Sequence, residues 1–186
     1  MKDLLIDADV VFAELRTVDM FQYFTDHELT EFVRICRQRE YNTGDRIIEQ
    51  GNIEKELFIL LEGAVTIRRK LSDGSDVAIN TLEQGDVFGE AGIFLDVART
   101  ARVVAIQPAR LLYTTREELF AYCKFHPHGG LKIFSHIIFS LLNKLAGAGD
   151  DIVLQRESMV TDTDMERLRS MFPSLDEVIG EENPRH

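Results

Sequence analysis

The chain has 186 residues, 45% of them apolar, and a formal net charge of −11. This suffices for the core of one domain plus an appendage, and the acidic balance argues against nucleic-acid binding, which needs a basic face to neutralise phosphates. The two cysteines, Cys36 and Cys123, fall on separate predicted helices and read as buried free thiols of a reducing cytoplasm, not as a redox or metal pair.

In chain order, residues 4–15 place Leu4, Leu5, Ala8, Val11, Phe12 and Leu15 on one face of an amphipathic helix. Asp3, Asp7 and Asp9 interrupt the apolar run, which disfavours a signal peptide. Thr25 with Glu28 forms a capping box, followed by Leu29, Phe32, Val33 and Cys36 at helical spacing. Glycines then punctuate the chain at 44, 51, 63, 74, 85 and 89. Between them lie short apolar or β-branched runs at 46–49, 56–61, 64–67 and 77–82, continued at 101–105 and 109–113. Regular short strands with turn signals predict an all-β sandwich or barrel, and Asp73-Gly74 marks a hairpin. Arg68, Arg69, Lys70, Leu71 and Ser72 match a basophilic kinase motif but read more simply as a strand entering that exposed turn.

A second capping box, Thr115 with Glu118, opens a helix through Lys124, which Pro127 and Gly129-Gly130 are expected to break. A third helix is predicted from Leu131 to Leu145. Its apolar set is Ile133, Phe134, Ile137, Ile138, Leu141, Leu142 and Leu145, too wide for a single contact surface. With Lys132, His136 and Asn143 it is too short and too polar to span a membrane. Residues 146–151 read as an acidic linker, 163–172 as a short amphipathic helix ended by Pro173, and an acidic tail follows.

Residues 85–103 carry the chemistry. Glu90, acceptor-only when ionised, suits a ribose hydroxyl. Arg99 offers a fixed fork of donors to a phosphate. Gly89, Ala91, Gly92 and Ala101 are small enough to let backbone amides approach phosphate oxygens. Phe88-Gly89-Glu90 and Arg99-Thr100-Ala101 resemble the phosphate-binding cassette of cyclic-nucleotide-binding domains, the sensor modules of catabolite activators, protein kinase A regulatory subunits and nucleotide-gated channels. The spacing from Glu90 to Arg99 equals that of the kinase-type cassette, and Ala98 stands where that type often has Pro. Turn phrases around Gly44, Gly51, Gly63 and Gly85 extend the similarity over about residues 18–145.

The resemblance implies a mainly β fold with flanking helices: a jelly-roll-like antiparallel β-roll with N-terminal helices and C-terminal hinge and lid helices. It divides the chain into an N-terminal helical lead (1–17), a cyclic-nucleotide-binding domain (18–145) and an acidic C-terminal appendage (146–186). It assigns the cyclic phosphate to Arg99 and the ribose 2′-hydroxyl to Glu90, with amides of Ala91, Gly92 and Thr100 as further phosphate donors. Ile48, Ile67, Ile79 and Leu82 are to line sugar and base, and the region of Asn143 to Leu145 is to form a lid. The implied function is an intracellular, cytoplasmic sensor of a cyclic purine mononucleotide, cyclic AMP (cAMP) slightly favoured over cyclic GMP (cGMP), which relays binding by helix repacking to a homodimer or to an unknown downstream protein.

The segment after residue 146 departs from the family. It lacks the length and positive charge of a helix–turn–helix output and carries no kinase, channel or cyclase sequence, so a stand-alone sensor is expected, with no nucleic-acid or membrane partner. Alternatives are a barrel that has lost its ligand and serves as a scaffold, or a cupin-type enzyme. His27, His126, His128, His136 and His186 all fall on predicted helices, loops or the terminus, so no barrel metal, cofactor or catalytic site is expected.

Overall fold

The computed structural model describes residues 2–147, with side chains described through Leu142. The predicted Thr163–Phe172 helix and the acidic tail lie outside the described residues. The elements run β1 (Lys2–Leu4), α1 (Ala8–Leu15), a 3-10 turn (Asp19–Phe21), α2 (Asp26–Arg34), β2 (Arg37–Tyr41), β3 (Arg46–Ile48), β4 (Glu56–Glu62), β5 (Val65–Lys70), β6 (Asp76–Leu82), β7 (Val87–Phe88), α3 (Glu90–Phe94), β8 (Arg102–Ala105), β9 (Ala109–Thr115), α4 (Arg116–Phe125) and α5 (Pro127–Gly147). All strand pairings are antiparallel. They form a five-stranded sheet in the order β1-β2-β9-β4-β7 and a four-stranded sheet in the order β3-β8-β5-β6. This is the mainly β architecture with flanking helices that the sequence predicts.

The facing sheets enclose a core that includes Ile48, Phe58, Leu60, Val65, Leu82, Phe88, Val103, Leu111 and Tyr113. Strand β4 reads Leu-Phe-Ile-Leu-Leu because both its faces are covered: Leu57 and Ile59 are as buried as Phe58 and Leu60. On the helical side, the rings of Phe21, Phe24, Phe32 and Tyr122 meet edge-on or tilted, with centroids as close as 4.9 Å. Both predicted capping boxes form. Thr25 and Glu28 exchange bonds at the start of α2, Thr115 and Glu118 at the start of α4. Gly63 shows why a turn glycine is required: its φ is +87°, and a Cβ would fall 2.1 Å from the Pro108 carbonyl.

Three expectations need correction. The N-terminal helix starts at Ala8, where the Asp7 side chain accepts from the Val10 amide, and residues 2–4 instead add a short edge strand to β2. Strand β2 has no predicted counterpart, because Arg-Gln-Arg-Glu-Tyr shows no apolar alternation. And Pro127, Gly129 and Gly130 do not separate two helices by a loop: α5 begins at Pro127, with both glycines in its first turns. Tertiary contact decides this. A Cβ on Gly129 would lie 2.3 Å from the Tyr122 hydroxyl, and one on Gly130 would lie 2.8 Å from Cys123 Cβ. The glycines let α5 approach α4.

Gly130→Ala is therefore expected to destabilise the fold. Relieving a helix glycine gains about 1 kcal/mol, but overpacking against Cys123 costs about 1–3 kcal/mol. Urea denaturation with a midpoint equal to or above wild type would count against this packing.

Candidate functional site

The stretch from β7 to β8 builds the site. Strand β7 pairs with β4, setting Phe88 opposite Phe58, the two rings stacked at 5.2 Å. Gly89 follows with φ +85° and begins the five-residue helix α3. Its backbone passes too close to β4 for any side chain, since a Cβ would lie 2.6 Å from the Glu56 carbonyl. After α3, residues 95–101 return to β8, and the Arg99 backbone is pinned to the loop before β4: Gly51 N–H donates to Arg99 O at 2.8 Å and Arg99 N–H to Asn52 O at 2.8 Å.

The Arg99 side chain is buried, at 8% exposure. Nη1 donates to Gly89 O at 2.9 Å and Nη2 to Glu56 O at 3.0 Å, while Nε is buried with no hydrogen-bond partner. Among the described residues no carboxylate forms a salt bridge with it. Burial pushes its pKa down from the ordinary guanidinium value, and the fields of Glu54, Glu90 and Glu56 oppose that fall. Glu56 itself has its pKa raised by burial, chiefly, against the pull of Arg39. Two of the five guanidinium N–H donors are engaged by backbone carbonyls, which holds the fork in place.

Glu90 is buried at 9% exposure in the first turn of α3, close enough to Arg99 for their charges to interact. Gly92 is buried against Arg99: a Cβ there would lie 2.6 Å from Nη1. Its amide donates to Gly89 O at 3.1 Å. Ala91 and Thr100 are exposed and Ala101 is half-buried. Of the expected lining residues, Ile48 and Leu82 belong to the buried core and Ile67 packs partly buried against it. Ile79 is not part of that core cluster. It is 56% exposed on edge strand β6, at the register shift between Ile67 and Arg68. The side chains of Asn143 and Leu145, the expected lid, lie outside the described residues.

The sequence reading missed a second layer. Arg116, the first residue of α4, is buried at 6% exposure. It donates through Nη1 to Asp96 Oδ1 at 2.6 Å and through Nη2 to the carbonyls of Gly92 at 2.8 Å and Leu95 at 2.9 Å. Lys55 Nζ reaches the same Asp96 oxygen at 2.9 Å. One signal was available: a cation in the first turn of a helix opposes the dipole and requires another reason to be there. Among the described residues, no group of three or more His, Cys, Asp or Glu is placed to hold a metal ion, and no helix is long and apolar enough to cross a membrane.

A β-roll with a Gly-Glu turn, a short helix and a buried Arg invites comparison with known proteins. Residues 38–126 match the family model for the cyclic nucleotide-binding domain. That segment, just under half of the chain, is similar to the cyclic nucleotide-binding domain family. It is 27% identical over 168 residues to glutaminase 2 of Bradyrhizobium diazoefficiens, covering 81% of this chain and 26% of that protein. It is 32% identical over 107 residues to the cAMP-dependent protein kinase regulatory subunit of Mycosarcoma maydis, covering 56% of this chain and 20% of that protein. The chain thus spans about a quarter or less of the length of these relatives. Among solved structures, the catabolite activator protein of Thermus thermophilus superposes with a TM-score of 0.65 at 24% identity, covering 73% of this chain and 62% of that one. A cyclic nucleotide-binding domain from Methylobacillus flagellatus gives 0.70 at 18% identity, covering 83% and 89%. At these identities the structures speak for the fold.

The ion pairs around Asp96 make a pH prediction. Its carboxyl is pushed down to about 2, first by the Lys55 hydrogen bond and then by Arg116. An unfolded Asp titrates near 4. A depressed folded value means that the stabilisation is present above about pH 4 and lost as pH falls toward 2. Carboxyl NMR should find the Asp96 midpoint near the lower value in wild type and nearer 4 in Arg116→Gln; a wild-type midpoint near 4 would show that the ion pairs do not persist in solution.

Proposed function

We propose that the chain is a sensor that reversibly binds a cyclic purine mononucleotide at the 89–101 cassette. One observation carries this reading: Arg99 is a buried cation with two backbone carbonyls as partners, an unfilled Nε donor and, among the described residues, no direct salt bridge to the carboxylates whose fields reach it. A buried charge without a direct ion pair is costly, and a phosphate would offset that cost. Arg99 pairs with the cyclic phosphate and Glu90 accepts from the ribose 2′-hydroxyl. The amides of Ala91, Gly92 and Thr100 also serve the phosphate, that of Gly92 by giving up its bond to Gly89 O. Ile48, Ile67, Ile79 and Leu82 bound the sugar and base, and the expected lid at Asn143 to Leu145 falls outside the described side chains. cAMP is the first-choice ligand. The Thr100 hydroxyl can accept from a guanine amino group, so cGMP is the comparison to make.

In this reading the sensing domain runs over residues 18–145, with a lead at 1–17 and an appendage at 146–186, and it acts in the cytoplasm without catalysing a reaction. Binding draws the cassette inward and repacks the helices after Tyr113, a population shift driven by unequal affinity for the two arrangements. The output is a partner protein or a change of oligomer. A ligand-free scaffold is the competing reading, and titration calorimetry separates the two: micromolar or tighter binding of a cyclic nucleotide supports the sensor, and the absence of heat supports the scaffold.

Arg99→Ala should weaken cyclic-nucleotide binding by about 2–5 kcal/mol, because a desolvated phosphate loses its charge partner. Equal affinity in the variant would move the phosphate elsewhere. The two sheets should remain, since Arg99 lies outside the apolar core cluster, while α3 loses one of its two anchors.

A homodimer through α5 belongs to the same reading. The helix buries Ile133 and Ile137, yet leaves Leu131, Ile138, Phe139 and Leu142 at 53–67% exposure. A row of large apolar side chains this exposed suits a second copy of the same helix. Light scattering should find a dimer that Ile138→Glu converts to monomer. A well-behaved wild-type monomer at high micromolar concentration would remove the dimer and leave the nucleotide site untouched.

A further inference from the structure

Between the cassette and α4, one peptide unit is gripped from two sides. The Arg99 guanidinium lies against Gly92, close enough that a Cβ would sit 2.6 Å from Nη1 and 2.7 Å from Cζ. The Gly92 carbonyl accepts from Arg116 Nη2 at 2.8 Å. Arg116 also holds Leu95 O at 2.9 Å and Asp96 Oδ1 at 2.6 Å, so it caps the carbonyl end of α3. Its own amide is fixed to Lys55 O at 2.8 Å, and Lys55 returns through its ammonium to Asp96 at 2.9 Å. The loop before β4, the end of α3 and the start of α4 are therefore closed into one ring of polar contacts.

We propose that Arg116 is a positioning residue of the cassette: it clamps the carbonyl end of α3 to the first turn of α4, so that occupancy of the Arg99 site and the position of α4 change together. The proposal rests on the nucleotide-binding reading for its ligand and on geometry for its mechanism. An anion that draws Arg99 shifts the group packed on Gly92. Gly92 cannot move without stretching or carrying Arg116, and Arg116 is the first residue of α4. Charge favours the clamp in this place. A cation is unfavourable at the first turn of α4, and the carbonyl end of α3 turns that cost into an attraction between the two elements. Arg serves its three acceptors from one planar fork, a geometry that a tetrahedral lysine ammonium does not reproduce. Asp96 keeps the pair of cations, Arg116 and Lys55, electrostatically satisfied at the junction. Reciprocity follows: whatever holds α4 in one position alters the hold of the cassette on its ligand.

The test uses the full chain, with cAMP and cGMP as probes, in wild type, Arg116→Gln and Asp96→Asn. Stopped-flow displacement should show nucleotide release from Arg116→Gln faster by about tenfold, within the usual range of coupling between sites, while association changes by no more than about twofold. Amide hydrogen exchange should show that nucleotide protects residues 117–122 in wild type and not in Arg116→Gln. A merely structural arginine would lower stability without removing that ligand-dependent difference. Asp96→Asn, altered at a side chain 33% exposed, should shift both readings in the same direction by less, and it decides the matter alone if Arg116→Gln does not fold. Unchanged release together with unchanged protection of α4 overturns the clamp. If wild type binds neither nucleotide, the sensor reading fails, and the clamp is judged on the unliganded proteins: faster exchange at residues 91–95 in the variants supports it, and equal exchange rejects it.

Discussion

The Arg99 guanidinium must lie inside the protein, against backbone, and the surrounding chain is shaped by that requirement. To bring carbonyl oxygens within 2.9–3.0 Å of it, β7 must end beside β4 and the chain must turn sharply at Gly89. The turn needs a positive φ, and the closeness of β4 forbids a Cβ there. Gly92 is required for the same reason one turn later, on the other side of the guanidinium. The loop carrying Arg99 is in turn fixed by its two main-chain bonds to residues 51 and 52. Fold and site are thus not separate layers. The short helix α3 has few internal bonds to sustain it, and its position comes from the arginines on its two flanks.

That dependence sets which parts of the molecule a sequence can disclose. The Gly-Glu pair and the Arg nine positions on are visible because their spacing is local, and the apolar runs of β4 and β9 are visible because their burial is continuous. Strand β2 hides for a physical reason. Its inward-facing Arg39 lies 4.4 Å above the Tyr113 ring, donates to the Tyr113 hydroxyl and pairs with Asp3 of β1. A charged residue there performs the covering that an aliphatic one performs elsewhere, so the strand shows no alternation. The double glycine at 129 and 130 misleads in the opposite sense. Local propensity reads it as a break, whereas its missing side chains serve the contact with Tyr122 and Cys123. Arg116 was legible only as an oddity, since its partners Gly92 and Asp96 lie 24 and 20 residues away.

The helices after β9 are joined to the rest by polar contacts that cross long stretches of sequence. The Tyr122 hydroxyl donates to Glu28 O at 3.0 Å, and Lys132 Nζ lies 2.7 Å from Glu28 Oε2. Glu28 also completes the cap of α2. Burial alone would raise its pKa, yet the bonds from Lys132 and Thr25 leave it lowered. One carboxylate therefore serves the cap of an N-terminal helix and the anchorage of a C-terminal one. With Arg116 gripping α3 and Glu28 gripping α5, helices α4 and α5 are tied at one end to the cassette and at the other to α2. In the proposed sensor, a shift of the cassette would be carried to α2 or resisted by it.

Charge raises the last question, because the chain carries −11 overall and the reading gives it an anionic ligand. Distance resolves it. Charges on the protein surface farther than about 8 Å from the site are largely screened at physiological salt. A guanidinium in contact with phosphate at about 4 Å acts through a poorly screened, partly desolvated path worth about 4 kcal/mol at an effective dielectric constant of 20. The carboxylates that matter are therefore the near ones, Glu54, Glu56 and Glu90, which all act on Arg99. Their fields oppose the fall that burial imposes on its pKa. Glu90 has a hydroxyl to accept in the proposed complex, and burial raises the pKa of Glu56. In the proposed complex the buried arginine governs how long the anion stays, and the screened acidic surface acts at most on how fast it arrives.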